Sequence, residues 1–165
     1  MPLLPQPDTF LKEILKHLAA KQLNINDLFI DHICYRLSSN ARYDELKTHL
    51  TKLNELLVES KINGRNISVF KLKEPIKFGH WEIPLLELPA PKSGSHYSEG
   101  WEHIEVVTNE PLESFMQKHP DLDFDLKGFT KPLNREVRLK LGKYSFKFHE
   151  QSLEEVIEIE KGNKY

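Results

Sequence analysis

Cysteine is almost missing from this sequence: its 165 residues include a single one, Cys34. An intramolecular disulfide is therefore excluded, as is a zinc site built from several thiolates. Long hydrophobic runs are missing too, and no stretch approaches the roughly twenty consecutive apolar residues of a membrane-crossing helix. The opening Met1-Pro2-Leu3-Leu4-Pro5 has neither the basic segment nor the apolar run of a secretory signal. The expected location is the cytoplasm, with no membrane partner. Positive charge is not in surplus: 23 Lys and Arg stand against 25 Asp and Glu, a formal net charge of -2. Proteins that bind nucleic acid neutralise phosphates with a basic excess, so no nucleic-acid partner is expected. The chain also lacks a glycine-rich phosphate loop, a nucleophile-elbow serine and a His-Glu-x-x-His helix. Glu13-Ile14-Leu15-Lys16-His17 misses the last of these spacings.

What is present is enough apolar material for a core: 39% of residues are hydrophobic and 10% aromatic. That composition fits one domain, or two small and closely packed halves. After Pro2, Pro5 and Pro7, Asp8 is a good N-cap for an amphipathic helix that places Phe10, Leu11, Ile14, Leu15 and Leu18 on one face. From Phe29 the pattern alternates, with Ile33, Tyr35 and Leu37 on one side of a strand and His32, Cys34 and Arg36 on the other. A helix from Ala41 to about Asn54 follows. Next come strands at residues 56–58 and 66–72, joined through Asn63-Gly64, and a further strand from His80 to Leu88. The segment 89–100 reads as a linker. The order then repeats: a strand from Trp101 to Thr108, a short helix opened by Asn109-Glu110-Pro111, a weaker strand from Leu122 to Leu126, and a hairpin of 137–141 and 144–148 over Gly142-Lys143. Ser152 and Glu155 form a capping box for a closing helix that Gly162 stops.

The doubling has a trace in the residues. Asp31-His32-Ile33 opens the first unit and Glu102-His103-Ile104 opens the second. The faces opposite the core hold imidazoles, carboxylates and bases: His32, Cys34 and Arg36; His103 and Glu105; Glu136, Arg138 and Lys140; Ser145, Lys147 and His149. Imidazole with carboxylate suits Zn²⁺, Fe²⁺, Ni²⁺ or Mn²⁺. Glu87, inside the apolar run Leu85-Leu86-Glu87-Leu88-Pro89, is a carboxylate that needs a partner, and a cation would supply one. Glu105 is a candidate general base or a residue that orients an imidazole; a salt bridge to Arg36 or Arg138 is the plainer alternative. Arg36, Arg138, Lys140 and Lys147 are candidate contacts for an anionic substrate, or simply a solvated strand face. His17, His49, His80, His96 and His119 read as surface or loop residues, Trp81 and Trp101 as core anchors, and Cys34 as a buried, inert thiol.

Asp31-His32-Ile33, the turn Ile62-Asn63-Gly64-Arg65, Phe70-Lys71-Leu72 followed by Glu74-Pro75, and Glu87-Leu88-Pro89 together make a pattern that resembles the YecM family. Glu99-Gly100-Trp101-Glu102-His103-Ile104-Glu105 and Phe146-Lys147-Phe148-His149 extend it, with Gly-Trp-Glu-His its most specific part. The resemblance runs from the first helix to the Ser152 helix. YecM-like proteins are in turn similar to the vicinal oxygen chelate, or glyoxalase/dioxygenase, superfamily. This implies an α+β fold in which two βαβββ modules, over 29–89 and 101–150, curl a mixed sheet around a metal. A helical appendage (1–28) and a C-terminal helix (151–165) complete the expected single domain. It implies one divalent ion held by His32 and His103 from the first strands and by Glu87 from the last strand of module one. Where module two usually offers a glutamate, the candidates are His149 and Glu150, and His149 has the better side-chain phase. The expected function is that of a metal-dependent isomerase, lyase or oxygenase acting on a small, oxygen-rich molecule. A non-catalytic module that binds a small anion is the alternative. Both modules lie in one chain, so a monomer suffices, with a homodimer also open.

Overall fold

The computed structural model describes residues 3–163. Among them are four helices and seven strands of an α+β protein. The helices are α1 (Asp8–Ala20), α2 (Asn40–Leu53), α3 (Leu112–Lys118) and α4 (Leu153–Gly162). The strands are β1 (Phe29–Arg36), β2 (Glu55–Ile62), β3 (Arg65–Phe78), β4 (Trp81–Pro89), β5 (Gly100–Val107), β6 (Glu136–Leu141) and β7 (Tyr144–His149). None of these helices is long and apolar enough to cross a membrane. The chain divides into two compact units, one of His32–Glu102 with the segment up to Asp8, the other of Thr9–Asp31 with the chain from His103 onward.

In the first unit the strand order is β2-β3-β4-β1. Strands β2, β3 and β4 run antiparallel in sequence, and β1 returns parallel to β4. Asn63 and Gly64 both take positive φ, 50° and 79°, which is the primed turn that matches strand twist in a two-residue hairpin. The Ser39 hydroxyl accepts a hydrogen bond from Arg42 N at 3.1 Å and starts α2. Ile33, Tyr35, Phe70, Leu86 and Leu88 are buried on one sheet face together with Tyr43, Leu46 and Leu50 of α2. Pro75 falls where the β3–β4 register is irregular, so its missing N–H interrupts no regular ladder.

The second unit repeats the scheme with one strand fewer. Its order is β5-β7-β6, β6 and β7 being antiparallel and β5 parallel to β7. Val137, Leu139, Leu141, Phe146 and Phe148 are fully buried on one face. Phe115 of α3 lies 4.7 Å from the Phe148 ring, and Phe10 of α1 meets Tyr144 edge-on at 4.9 Å. The capping box at Ser152 and Glu155 is formed, and Leu153 N also donates to Asp31 Oδ2 at 3.1 Å.

The strand expected at Leu122–Leu126 does not form. Its alternation Asp121-Leu122-Asp123-Phe124-Asp125-Leu126 has the right period, yet only Asp125 pairs, as an isolated bridge to Arg138. Local turns take the other groups: Leu122 N donates to His119 O, Phe129 N to Leu126 O, and Lys127 N to Asp125 Oδ1. Aspartate side chains that compete for nearby N–H groups favour turns over a ladder. At α3 the cap position is Pro111 rather than Asn109, and no side chain caps it.

Candidate functional site

In the first unit, β1 turns His32, Cys34 and Arg36 to the face away from α2. The parallel register sets Cys34 beside Glu87, and the antiparallel register sets Val69 on the other side of Glu87. Glu87 is thus a carboxylate among Leu85 and Val69, with the His32 Nε2 at 3.8 Å from its Oε2. A carboxylate in such surroundings is costly unless a donor or cation faces it. Arg36 stacks its guanidinium 4.6 Å from the Tyr97 ring centre and lies 3.8 Å from Glu102 Oε1. Cys34 Sγ contacts Glu102 Oε2 at 3.6 Å and is buried, as expected for an inert thiol. Nearby, Glu99 accepts hydrogen bonds from Tyr35 Oη at 3.3 Å and Arg42 Nε at 3.1 Å, fastening the end of the 89–100 linker to β1 and α2. Burial, and secondarily the Glu99 charge, push the Tyr35 phenol up to about 12.

In the second unit the polar groups converge more tightly. The register β5–β7 pairs His103 with Ser145 and Glu105 with Lys147; the register β6–β7 pairs Glu136 with His149 and Arg138 with Lys147. Side chains paired in this way share a face. Glu105 is the hub: its Oε1 lies 2.7 Å from Lys147 Nζ and 3.1 Å from His103 Nε2, and its Oε2 lies 2.5 Å from His149 Nε2. Glu136 Oε2 stands 3.6 Å from His149 Nε2 and 3.8 Å from Lys147 Nζ. Gly128 makes room for this carboxylate: a Cβ there would sit 2.1 Å from Glu136 Cγ. Burial is deep, with His103 6%, Glu105 5% and His149 3% exposed, and His32 of the first unit 1%.

Within the first unit His32 stands by Glu87, and within the second His103, Lys147 and His149 stand by Glu105. Arg138 is turned to Asp125 as its ion-pair partner, and Lys140 is exposed. The salt bridge foreseen for Glu105 exists, but its partner is Lys147 rather than Arg36 or Arg138. Glu150, the other candidate for the last ligand, is engaged elsewhere. Its Oε1 accepts from Arg135 Nη2 at 2.5 Å and from Leu112 N at 3.0 Å, and Arg135 holds its carboxyl below the usual range. Sequence reasoning gave no role to Glu136 or Gly128. The hairpin register, counted back from Gly142, sets Glu136 opposite His149 and was the signal available.

The two units differ at matching positions. Two residues after the first-strand histidine stands Cys34 in one unit and Glu105 in the other. Their partners on the last strand are Glu87 and Lys147. The carboxylate has moved from the last strand to the first, and a lysine fills the place it occupies in the first unit.

Comparison with known proteins agrees with the topology. The family profile described as "YecM protein" matches residues 3–160. Protein YecM of Escherichia coli (strain K12) is 34% identical over 172 residues, covering 95% of this chain and 90% of its own length. An uncharacterised protein of Haemophilus influenzae is 34% identical over 94 residues, covering 56% of this chain and 49% of its own. Among solved structures, a structural-genomics protein superposes with a TM-score of 0.79 at 31% identity, covering 92% of this chain and 87% of that one. A hypothetical protein from Bacillus halodurans C-125 shares the fold at a TM-score of 0.52 and 17% identity, covering 76% and 96%.

Proposed function

This chain belongs to the YecM family, and on that premise we propose that it is a divalent-metal-binding protein, with His32 and Glu87 as the candidate ligands of the first unit and His103 and His149 as those of the second. The observation that carries the reading is a buried first-strand imidazole beside a carboxylate in each unit: His32 with Glu87, and His103 with Glu105. Buried charge of this kind is costly unless it is paired or coordinates a metal. The donor set fits the ion, since nitrogen and carboxylate oxygen together suit Zn²⁺, Fe²⁺, Ni²⁺ or Mn²⁺. When bound, such an ion supplies Lewis-acid activation of two oxygens on a small substrate.

The further reading is a metal-dependent enzyme of the isomerase, lyase or oxygenase class. Glu105 takes the part of the proton-transfer group, with its Oε1 held by Lys147 Nζ at 2.7 Å. An anion-binding module receives less support. Arg36, Arg138 and Lys147 already face Glu102, Asp125 and Glu105, so an anionic ligand has to displace a carboxylate from each.

The test is metal content by mass spectrometry on untagged protein purified without chelators, with His32→Ala and His103→Ala alongside. Bound transition metal is expected in the parent, and a loss of it in each variant. No bound metal, and no uptake when Zn²⁺, Ni²⁺, Mn²⁺ and Fe²⁺ are offered in turn, overturns the proposal.

A further inference from the structure

The segment that follows β4 is held very differently at its two ends. It leaves the strand at Pro89, two residues after Glu87, and is first tied to β3: Ala90 N donates to Asn66 O at 2.8 Å, and Arg65 Nη1 to Ala90 O at 3.4 Å. Pro89 and Pro91 fix φ on either side of Ala90, so this end is stiff. At the far end the fastening is a single carboxylate. Glu99 accepts from Tyr35 Oη and Arg42 Nε on one oxygen, at 3.3 and 3.1 Å, and from Ser38 Oγ on the other at 3.4 Å. Between the ends, residues 92–96 are exposed and turn back through a hydrogen bond from Ser95 N to Lys92 O at 3.1 Å, with Gly94 at a φ of 73°.

Tyr97 is the inward contact of this segment. The Arg36 guanidinium stacks on its ring, 4.6 Å from the centre. Arg36 shares its strand face with Cys34 and His32, and the parallel register sets Cys34 beside Glu87. The ring thus covers the end of the face that carries the His32–Glu87 pair. A cation resting on a ring at a partly exposed site is weakly held, and Arg36 keeps Glu102 at 3.8 Å as a second partner when the ring leaves.

We propose that residues 91–98 form a strap over this face of the first unit, latched by Glu99, and that it opens by lifting Tyr97 from Arg36. Glu99 is a positioning residue: it acts through the segment it fastens. That the strap controls entry to His32 and Glu87 rests on the metal reading above; that it opens does not.

Cys34 is a reporter already in place, since it is buried on the covered face and is the single cysteine of the chain. The experiment is the rate of its reaction with an aromatic disulfide reagent on the folded, metal-free full chain, for the parent, Glu99→Ala, Tyr97→Ala and Ser152→Ala. Glu99→Ala removes the latch and is expected to raise the rate about tenfold or more, the scale of a lost hydrogen-bonded charge. Tyr97→Ala is expected to raise it about two- to fivefold. Ser152→Ala weakens a helix cap in the second unit without touching the strap, and is expected to label at the parent's rate. Equal rates in all four proteins overturn the proposal, because the strap then does not limit access. A rise in Ser152→Ala as large as in Glu99→Ala overturns it too, because Cys34 is then reached by general unfolding. A parent that takes up no metal but shows the expected labelling order rejects the metal reading and keeps the strap; bound metal with equal labelling does the reverse.

Discussion

Glu105 shows how much a single side chain depends on its surroundings. In the sequence it is one of 25 acids; in the fold it meets two imidazoles and an ammonium while almost wholly buried. The His-x-Glu alternation already put Glu105 on the same face as His103, because strand side chains repeat every two residues. Lys147 as its partner needed the β5–β7 register, which no local pattern contains. Glu150 is the contrasting case. Adjacent to His149, it takes the other face and is committed to Arg135. Its depressed pKa, caused first by Arg135, means that its contribution to stability is present above the unfolded carboxylate value of about 4.3. That contribution is lost as the pH falls through the lower folded value. Glu150→Gln is accordingly expected to lower the urea midpoint at pH 7 and to leave it unchanged at a pH below the folded value of Glu150. Equal losses at the two pH values would show that packing, not charge, is at stake.

The elements were legible where local chemistry agrees with tertiary need. The Asn63-Gly64 turn, the hairpin over Gly142 and the Ser152 capping box are each short-range, so their residues suffice to specify them. Replacing Ser152 by Ala removes a hydroxyl that accepts from Glu155 N at 3.2 Å and is expected to cost about 0.5–2 kcal/mol. The check is a lower urea midpoint with an unchanged m value. The segment 121–126 went the other way. Its apolar alternation has a strand's period, but Asp125 accepts from the backbone of Lys127, backbone turns take other groups, and a single bridge to Arg138 is all that survives. Alternation says which side a residue faces if a strand forms; it does not say that a neighbouring strand will accept the hydrogen bonds.

At the scale of the molecule, each unit repeats one scheme: a first strand, a helix, an antiparallel run, and a last strand returning parallel to the first. That parallel return places a first-strand histidine near a last-strand side chain in both units, a proximity of more than fifty positions in the first and about forty in the second. If a divalent ion binds only the folded chain, its stabilisation follows from linkage, about 2.7 kcal/mol at a hundredfold excess over Kd. For a chain of this size that amounts to a rise in Tm of roughly 5–10 °C. Calorimetry with and without the ion is expected to show this rise in the parent, and a flattened response in both His32→Ala and His103→Ala. A rise of the same size in all three would place the ion elsewhere.

Apart from the strand at 122–126, the sequence by itself determined the elements, their burial faces and the doubled order, because periodicity, caps and turns act over a few residues and each leaves a local mark. It also determined that imidazole and carboxylate share the faces turned from the core. Which groups meet was decided only by tertiary structure. Glu105 received Lys147 and His149, Glu136 came to lie beside them over Gly128, and Glu150 was withdrawn to Arg135. Strand register between distant segments is set by the packing of whole core faces, a property of many residues together that no single stretch of chain carries.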